Sequence, residues 1–185
     1  MANKVIFESA EIIFRNFRGE EGQYNREGDR NFAVLINDQK VIDDLIADGW
    51  NVKFLNAREE GDVEQAYLQV SVNFKGRPPV IYMITGKGKE PVSEEIVELL
   101  DYVDIREVDM ILNPYDWNVG GKSGRKAYLE KMFVTIEEDV LDRKYADVPS
   151  ADEALDRKYA DVPSADEALD RKYADHPSNE EYEEE

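Results

Sequence analysis

The sequence predicts a mainly β domain of the α+β class over residues 1–138, folded as a barrel-like antiparallel sheet, and a flexible acidic tail over residues 139–185. Three observations lead to this prediction. Short alternating or β-branched apolar segments recur along residues 1–138, two segments have the periodicity of a short helix, and a 14-residue repeat fills the last quarter of the chain. A closed sheet is favoured because closure leaves no strand edge unpaired.

The predicted strands follow one another through the first 138 residues. Segment 66–74 is the clearest, because its apolar and polar residues alternate as they do in a sheet with one buried face. The full set is 5–7, 12–14, 32–36, 51–55, 66–74, 80–85, 108–113 and 126–136. We expect Trp50, Phe54, Phe133 and most of the strand aromatics to lie in the core.

Two short helices are predicted between these strands. Residues 39–47 place four apolar side chains on one side, with Asp38 suited to cap the amino end and Gly49 suited to end the helix. Residues 93–102 form the second helix, in which Glu94 and Glu95 lie near the positive end of the helix dipole.

The negative charge of the chain is unevenly distributed. Residues 1–138 contain 17 Lys and Arg against 26 Asp and Glu, a net charge of −9, whereas residues 139–185 contain 6 against 16, a net charge of −10. The tail therefore carries more than half of the total of −19. Binding of nucleic acid needs positive potential only along one groove, so this total does not exclude it.

The composition excludes several kinds of chemistry. Cysteine is absent, and His176 is the single histidine, so thiolate sites, histidine bases and histidine metal sites are not expected and no cofactor is predicted. No apolar run approaches the roughly 20 residues of a membrane span. Glu8 and Glu11 interrupt the first apolar stretch, unlike a secretory signal. We therefore expect a soluble protein of the cytoplasm.

The tail repeats the segment LDRKYADVPSADEA with a period of 14 residues from position 141. The S-x-x-E spacing of Ser150 with Glu153, and of Ser164 with Glu167, predicts short capped helices that each following proline ends. Few apolar groups are present, so we expect frayed helices on a solvated chain. The tail is then either a tandem duplication without a role of its own or a flexible acidic arm.

The segment GGKS at 120–123 is not a phosphate-binding loop. The G-x-x-x-x-G-K-[ST] pattern would need a glycine at Asp116 and a helix after the loop, whereas residues 126–136 have the pattern of a strand. The segment is therefore predicted to be the basic tip of a β-hairpin.

Basic residues alternate with aromatic residues in several polar or glycine-rich segments, of which the clearest are 14–19, 24–32, 74–77 and 115–128. Single-stranded nucleic acid is bound by this combination, because lysine and arginine follow the phosphates while aromatic rings stack on bases of any sequence. The pattern predicts a single-stranded nucleic-acid surface in these segments.

The segment VDMILNPYDWNVGGKSGRKAYL, residues 108–129, resembles the final hairpin of phage-encoded single-stranded DNA-binding proteins of the OB-fold type. In these proteins a tyrosine-bearing strand, a Gly-Lys-x-Gly turn and an Ala-x-Leu strand follow one another. The segments FRNF, YNREGDRNFAV, DGWNVK, RPPVIYMITGKGK and FVTIEE also resemble a family of small phage early proteins.

This resemblance implies an OB-like barrel that binds single-stranded DNA and assists phage replication or recombination without catalysis, inside the bacterial host cell. An acidic carboxyl-terminal tail competes with DNA in such relatives and recruits replication proteins. Tyr182, Glu183, Glu184 and Glu185 would bind that partner, and a homo-oligomer is possible. The predicted DNA-binding residues are Arg15, Phe17, Arg18, Tyr24, Arg26, Arg30, Lys75, Arg77, Lys87, Lys89, Tyr115, Trp117, Lys122, Arg125, Lys126 and Tyr128.

Two other functions remain open from the sequence. An acidic domain with an acidic arm could occupy the DNA-binding surface of a host protein by imitating nucleic acid. A metal-dependent nuclease is the third interpretation, because four carboxylates and a lysine lie close together in sequence. They are Asp104, Glu107, Asp109, Asp116 and Lys126.

Overall fold

The structure is a computed structural model that describes residues 3–56, 59–149 and 154–156. The chain separates into two units, Met1–Lys144 and Tyr145–Glu185. Most of the predicted repeat tail lies outside the described residues, as do the four residues predicted to bind a partner, Tyr182, Glu183, Glu184 and Glu185.

The first unit is mainly β, as predicted. Among the described residues, nine strands form one sheet: β1 Val5–Ala10, β2 Ile12–Asn16, β3 Arg30–Ile36, β4 Val52–Leu55, β5 Gln65–Val72, β6 Val80–Thr85, β7 Gly88–Pro91, β8 Ile105–Val119 and β9 Lys122–Ile136. The helical elements are α1 Gln39–Ala47, a 3₁₀ helix Val97–Asp101 and α2 Val140–Lys144. Strand β7 occupies a segment that we expected to be a loop.

The main hydrogen-bonded path of the sheet runs in the order β1-β8-β9-β5-β3-β2. Strand β4 pairs with β5, and β6 pairs with β7 and β9. The pairs β5 with β9 and β6 with β9 are parallel, so the prediction of a purely antiparallel sheet is wrong for these two pairs. In the described part of the chain no ladder joins β1 to β2, and the sheet is therefore an open path rather than the closed ring that the sequence predicts.

The core lies on one face of the central strands. Alternate residues of β5, from Ala66 to Val72, are buried, and they pack with alternate residues of β3, β8 and β9. Trp50 is 3% exposed, as predicted. The prediction is wrong for Phe54, which is exposed on β4, a strand that pairs only with β5 among the described strands. Phe133 is half-buried on the opposite face, because it alternates with the fully buried Met132 and Val134.

Helix α1 has the predicted bounds. The side chain of Asp38 accepts hydrogen bonds from the backbone N–H groups of Lys40, at 2.8 Å, and Val41, at 3.3 Å. Gly49 then turns the chain with a φ of +89°, a conformation that favours glycine. The second predicted helix is reduced to the short 3₁₀ segment, which has no side-chain cap at Ile96.

The β8–β9 hairpin is longer than the sequence predicts. Both strands continue through the segment that we expected to be a loop, and they meet at Gly120 and Gly121, whose φ angles are +59° and +79°. Positive φ at both turn residues is typical of the tight hairpin turn whose twist matches the strands. Tyr115 and Trp117 consequently lie on β8 at fixed register rather than in the expected loop.

Candidate nucleic-acid interface

An open cleft of about 470 Å³ lies in the first unit, lined by β5, β9, the end of β8 and the loop that precedes β3. Gln69, Ser71 and Asn73 line it from β5 and the residue after it. These residues alternate with the buried Val70 and Val72, so they point away from the core. The cleft therefore lies on the outer, polar face of the sheet.

The β8–β9 hairpin supplies one aromatic wall of the cleft. Tyr128 and Trp117 line it, and Tyr115 meets Tyr128 edge to face with ring centroids 5.7 Å apart. The Lys126 ammonium lies 5.2 Å from the centroid of the Tyr128 ring. Tyr115 and Trp117 are 56% and 38% exposed, so both rings are accessible to a ligand.

The loop between β2 and β3 supplies the opposite wall and presents Tyr24, which is 88% exposed. Gly28 N–H donates to the carbonyl of Gly19 at 2.8 Å, and the Asn31 side chain donates to Asn25 Oδ1 at 2.7 Å. A side chain at Gly19, where φ is +69°, would lie 3.1 Å from the backbone of Gly28. The loop is thus closed by its own hydrogen bonds, with Tyr24 at its exposed end.

Two lysines bring positive charge to the cleft. Lys75 and Lys126 both line it and are exposed, and no ion pair joins either of them to a carboxylate in the described residues. Arg30 also lines the cleft, but its Nη1 lies 2.9 Å from Glu94 and its guanidinium lies over the Phe74 ring. The lysines are therefore the cations most available to a phosphate.

Arg125, which is predicted to bind DNA, lines the cleft and makes several contacts within the protein. Its Nε and Nη2 donate to the two carboxylate oxygens of Asp116 at 2.6 and 3.2 Å, and its Nη1 lies 3.2 Å from Asp48 Oδ2. The hydrogen bond from Arg125 lowers the pKa of Asp116. The guanidinium also lies over Trp50. Its charge is consequently compensated within the protein.

Three of the residues predicted to bind DNA lie outside the cleft lining and make contacts within the protein. Phe17 is fully buried and stacks on Phe32 with centroids 5.3 Å apart, so it cannot stack on a base. Arg15 Nη1 donates to the carbonyls of Leu100, at 2.8 Å, and Val103, at 2.7 Å. Arg18 pairs with Glu20, and its Nη1 donates to the hydroxyl of Tyr102. The hydrogen bonds of Arg15 and Arg18 join β2 and the segment after it to the 3₁₀ helix and the residues that follow it.

The other predicted cations lie outside the cleft lining. Arg26 is exposed on the same loop as Tyr24, and Lys122 is exposed beside the hairpin turn. Arg77 is close enough to Glu130 to lower the pKa of that carboxyl, together with the stronger contribution of Lys4. Lys87 and Lys89 are exposed at the β6–β7 turn and on β7.

Sequence reasoning missed the polar residues of the cleft. Gln69, Ser71, Asn73 and Asn51 all line it. The alternation that predicted β5 also places Gln69, Ser71 and Asn73 on one face. A row of polar residues on that face could have indicated the floor of the cleft. Asn51 has no comparable signal in the sequence.

The carboxylates proposed for a nuclease do not form a metal site. No group of three or more His, Cys, Asp or Glu side chains in the described ranges could hold a metal ion. Asp109 accepts a hydrogen bond from the backbone of Ser9 at 2.8 Å, and Asp116 is held by Arg125.

None of the described helices is long and apolar enough to span a membrane.

Comparison with known structures shows that the chain shares a fold with a phage protein. The single-stranded DNA-binding protein of bacteriophage Enc34 in complex with ssDNA matches with a TM-score of 0.51 and 10% identity, over 74% of this chain and 88% of that chain. A C-terminal truncation of the Enc34 protein matches with a TM-score of 0.49 and 12% identity, over 74% and 87% of the two chains. The single-stranded DNA-binding protein gp2.5 of bacteriophage T7 matches with a TM-score of 0.37 and 15% identity, over 80% and 97%.

No curated protein matches the sequence. The family model described as "Putative phage ssDNA-binding domain" matches residues 1–185. This match confirms the resemblance that the hairpin segment indicated, and it favours DNA binding over imitation of DNA. Since the model covers the whole sequence, the protein belongs to the phage ssDNA-binding domain family.

Proposed function

We propose that this protein binds single-stranded DNA in the cleft between the loop bearing Tyr24 and the β8–β9 hairpin. One observation carries the proposal: three aromatic rings and two exposed lysines line the same open cleft. The rings belong to Tyr24, Trp117 and Tyr128, and the lysines are Lys75 and Lys126. Rings of this kind stack on bases of any sequence, and the lysines bind the phosphates between them.

The polar floor of the cleft is suited to a flexible ligand. The side chains of Gln69, Ser71 and Asn73 offer both donors and acceptors, which can bond to sugars, phosphates or base edges without requiring one sequence. The first 138 residues carry a net charge of −9, so we expect modest affinity that falls steeply as salt is added.

The proposal places the protein in phage DNA replication or recombination, as an accessory without catalytic activity in the cytoplasm of the host cell. The acidic tail would regulate DNA binding or recruit a replication protein through residues 182–185. The Enc34 protein, which shares the fold, has been solved with ssDNA, and this supports a DNA-binding role for the shared domain.

We also propose that the open sheet path is folded into an OB-like barrel, in which the bend between β1 and β2 takes the place of a ladder between them. The two ends of the sheet path, β1 and β2, are consecutive in the chain and separated by Glu11 alone. The backbone N–H of Leu35, in β3, donates to the carbonyl of Glu11 at 3.0 Å. One stretch of chain therefore borders β8 through β1 and β3 through Glu11 and β2, and this continuity supports the barrel.

Fluorescence titration tests the DNA-binding proposal directly. The chain has two tryptophans, of which Trp50 is buried and Trp117 lies in the cleft, so stacking on DNA should quench the emission of Trp117. We expect labelled single strands to bind at low salt with this quenching, more tightly than duplexes, and without cleavage when Mg²⁺ is added. Absence of binding would refute the proposal. If DNA quenched the tryptophan fluorescence of Trp117→Phe as much as that of wild type, the DNA would bind outside the cleft.

A further inference from the structure

A second group of aromatic rings and cations lies on the outer face of β9, beyond the cleft. Tyr82 on β6 stacks on Phe133 on β9, with ring centroids 5.4 Å apart and an angle of 17° between the rings. Lys89 Nζ lies 4.5 Å from the centroid of Tyr82, and Lys131 Nζ lies 5.5 Å from that of Phe133. We call these four residues the distal platform.

The distal platform repeats the arrangement found in the cleft. There, Lys126 lies over Tyr128, and a second ring, Tyr115, packs against that tyrosine. In both places a lysine precedes an aromatic residue by two positions on β9, so both side chains project from the same face of the strand. Strand β9 thus carries two units, each of which combines a lysine and an aromatic ring of β9 with a second ring from a neighbouring strand.

The two units lie on one face of the sheet, on one continuous strand. The register of β9 against β8 shifts between Ile111 and Leu112, which leaves Glu130 as an extra residue on β9. Tyr128 and Phe133 are five positions apart and would lie on opposite faces of a regular strand. Because of the extra residue, both side chains lie on the face opposite the core. At roughly 3.3 Å per residue, the stretch from Tyr128 to Phe133 separates the rings by roughly 15 Å.

The surface between the two units is not a barrier to a polyanion. Glu130 lies there, but Lys4 Nζ is 2.7 Å from its Oε2, and Arg77 is close enough to stabilise the same carboxylate. Two cations therefore surround one anion at this point. A backbone of phosphates leaving the cleft would meet Lys126, then Arg77 and Lys4, then Lys131 and Lys89.

We propose that the distal platform is a second base-stacking site, which extends the single-stranded DNA path from the cleft along the outer face of β9. This inference rests on the proposed function of the cleft. It explains why Phe133, which sequence patterns assign to the core, lies on the outer face. The proposal also implies that affinity depends on the length of the single-stranded DNA.

The test compares short and long oligothymidylates, of about 6 and about 20 nucleotides. A single OB fold binds about 4–16 nucleotides, so the short one fits on one fold and the long one extends beyond it. The variants are Tyr82→Leu combined with Phe133→Leu, and Lys89→Glu combined with Lys131→Glu. The matched controls are Phe54→Leu, an exposed aromatic on β4, and Lys40→Glu, an exposed lysine on α1. The charge variant keeps the test valid if removal of two half-buried rings destabilises the fold.

For the long oligonucleotide we expect each distal variant to bind roughly tenfold more weakly than wild type, because one variant loses base stacking and the other loses contacts to phosphates. The short oligonucleotide should bind all proteins alike, because it is held in the cleft. Unchanged binding of the long strand, or equal weakening for both strands, would overturn the distal platform. Failure of wild type to bind even the short strand would instead refute the proposed function of the cleft.

Discussion

The indole ring of Trp117 lies across Gly124, its partner on the opposite strand of the hairpin. A Cβ atom at residue 124 would lie 2.8 Å from Trp117 Cζ2 and 2.9 Å from Cε2, distances at which something must move. Gly124 therefore sets the position of the tryptophan by having no side chain. The ring covers the backbone of the facing strand and stays at the edge of the cleft.

The first prediction follows from this close approach. Gly124→Ala should push the indole from its position and weaken binding of single-stranded DNA by at most about 1–3 kcal/mol, the contribution of one stacked base. Polarisation titration of a labelled oligonucleotide measures the loss. In a Trp117→Ala background the same substitution should cost nothing further, because the ring is already absent. An equal loss in both backgrounds would show that Gly124 acts through the hairpin backbone instead.

The second prediction concerns the lysines of the hairpin. Lys122→Glu combined with Lys126→Glu should weaken DNA binding and reduce the slope of log affinity against log salt by about 0.7 for each phosphate that is no longer neutralised. Both side chains are exposed, so the melting temperature should remain close to that of wild type. Lys40→Glu is the matched control, since it changes an exposed lysine on α1. Equal salt slopes for wild type and the double variant would exclude these lysines from the phosphate path.

Arg125 is not changed together with these two lysines, because it forms ion pairs with Asp116 and Asp48. The pKa of Asp116 is lowered in the folded state, mainly by the hydrogen bond from Arg125, so the pair stabilises the protein above the ordinary carboxyl pKa of roughly 3.9. This contribution is lost as the pH falls through the lowered pKa. We predict that Asp116→Asn has a smaller free energy of unfolding than wild type at pH about 6, and that the difference narrows at pH about 3.

Urea unfolding at both pH values checks this third prediction, with Asp43→Asn on α1 as a control. If the free energies of unfolding of wild type and Asp116→Asn differed by the same amount at both pH values, the stabilisation could not be due to the ionised carboxylate of Asp116. DNA affinity at neutral pH should change little in Asp116→Asn if Arg125 keeps its ion pair with Asp48. A large gain of affinity would instead show that the released guanidinium of Arg125 binds DNA.

Much of the fold follows from local patterns in the sequence. Helix α1 begins and ends where its cap at Asp38 and its glycine at Gly49 predict, because both signals act within a few residues. The alternation in β5 likewise identifies a strand with one buried face. The parallel pairing of β5 and β6 with β9 has no such signal, since it depends on interactions between segments distant in the chain.

The site is predictable in part, for a related reason. Tyr24, Trp117 and Tyr128 were expected to bind DNA and line the cleft, and all three lie in segments where aromatic residues alternate with basic ones. Phe17 and Arg15 have the same local pattern of ring beside cation, yet Phe17 is buried and Arg15 binds two carbonyls. The burial of Phe17 and the hydrogen bonds of Arg15 both depend on the overall fold, since the carbonyls belong to Leu100 and Val103, far along the chain.

The last prediction concerns the acidic tail. Residues 145–185 carry 4 Lys and Arg against 14 Asp and Glu, a net charge of −10, and they are linked to a domain whose proposed ligand is also an anion. A linked segment competes at a high effective concentration, in the millimolar range for short flexible connections. A chain that ends at Lys144, the boundary of the first unit, should therefore bind single-stranded DNA more tightly than the full chain.

The gain should shrink as salt is added, because screening weakens attraction between the tail and the basic residues of the cleft. A synthetic peptide of residues 145–185, added to the shortened chain at high concentration, should restore the weaker binding. A peptide of the same sequence with its acidic residues changed to Asn and Gln is the matched control, since it keeps the length but removes the negative charge. Equal or weaker DNA binding by the shortened chain would exclude autoinhibition and leave recruitment of a partner as the remaining role proposed for the tail.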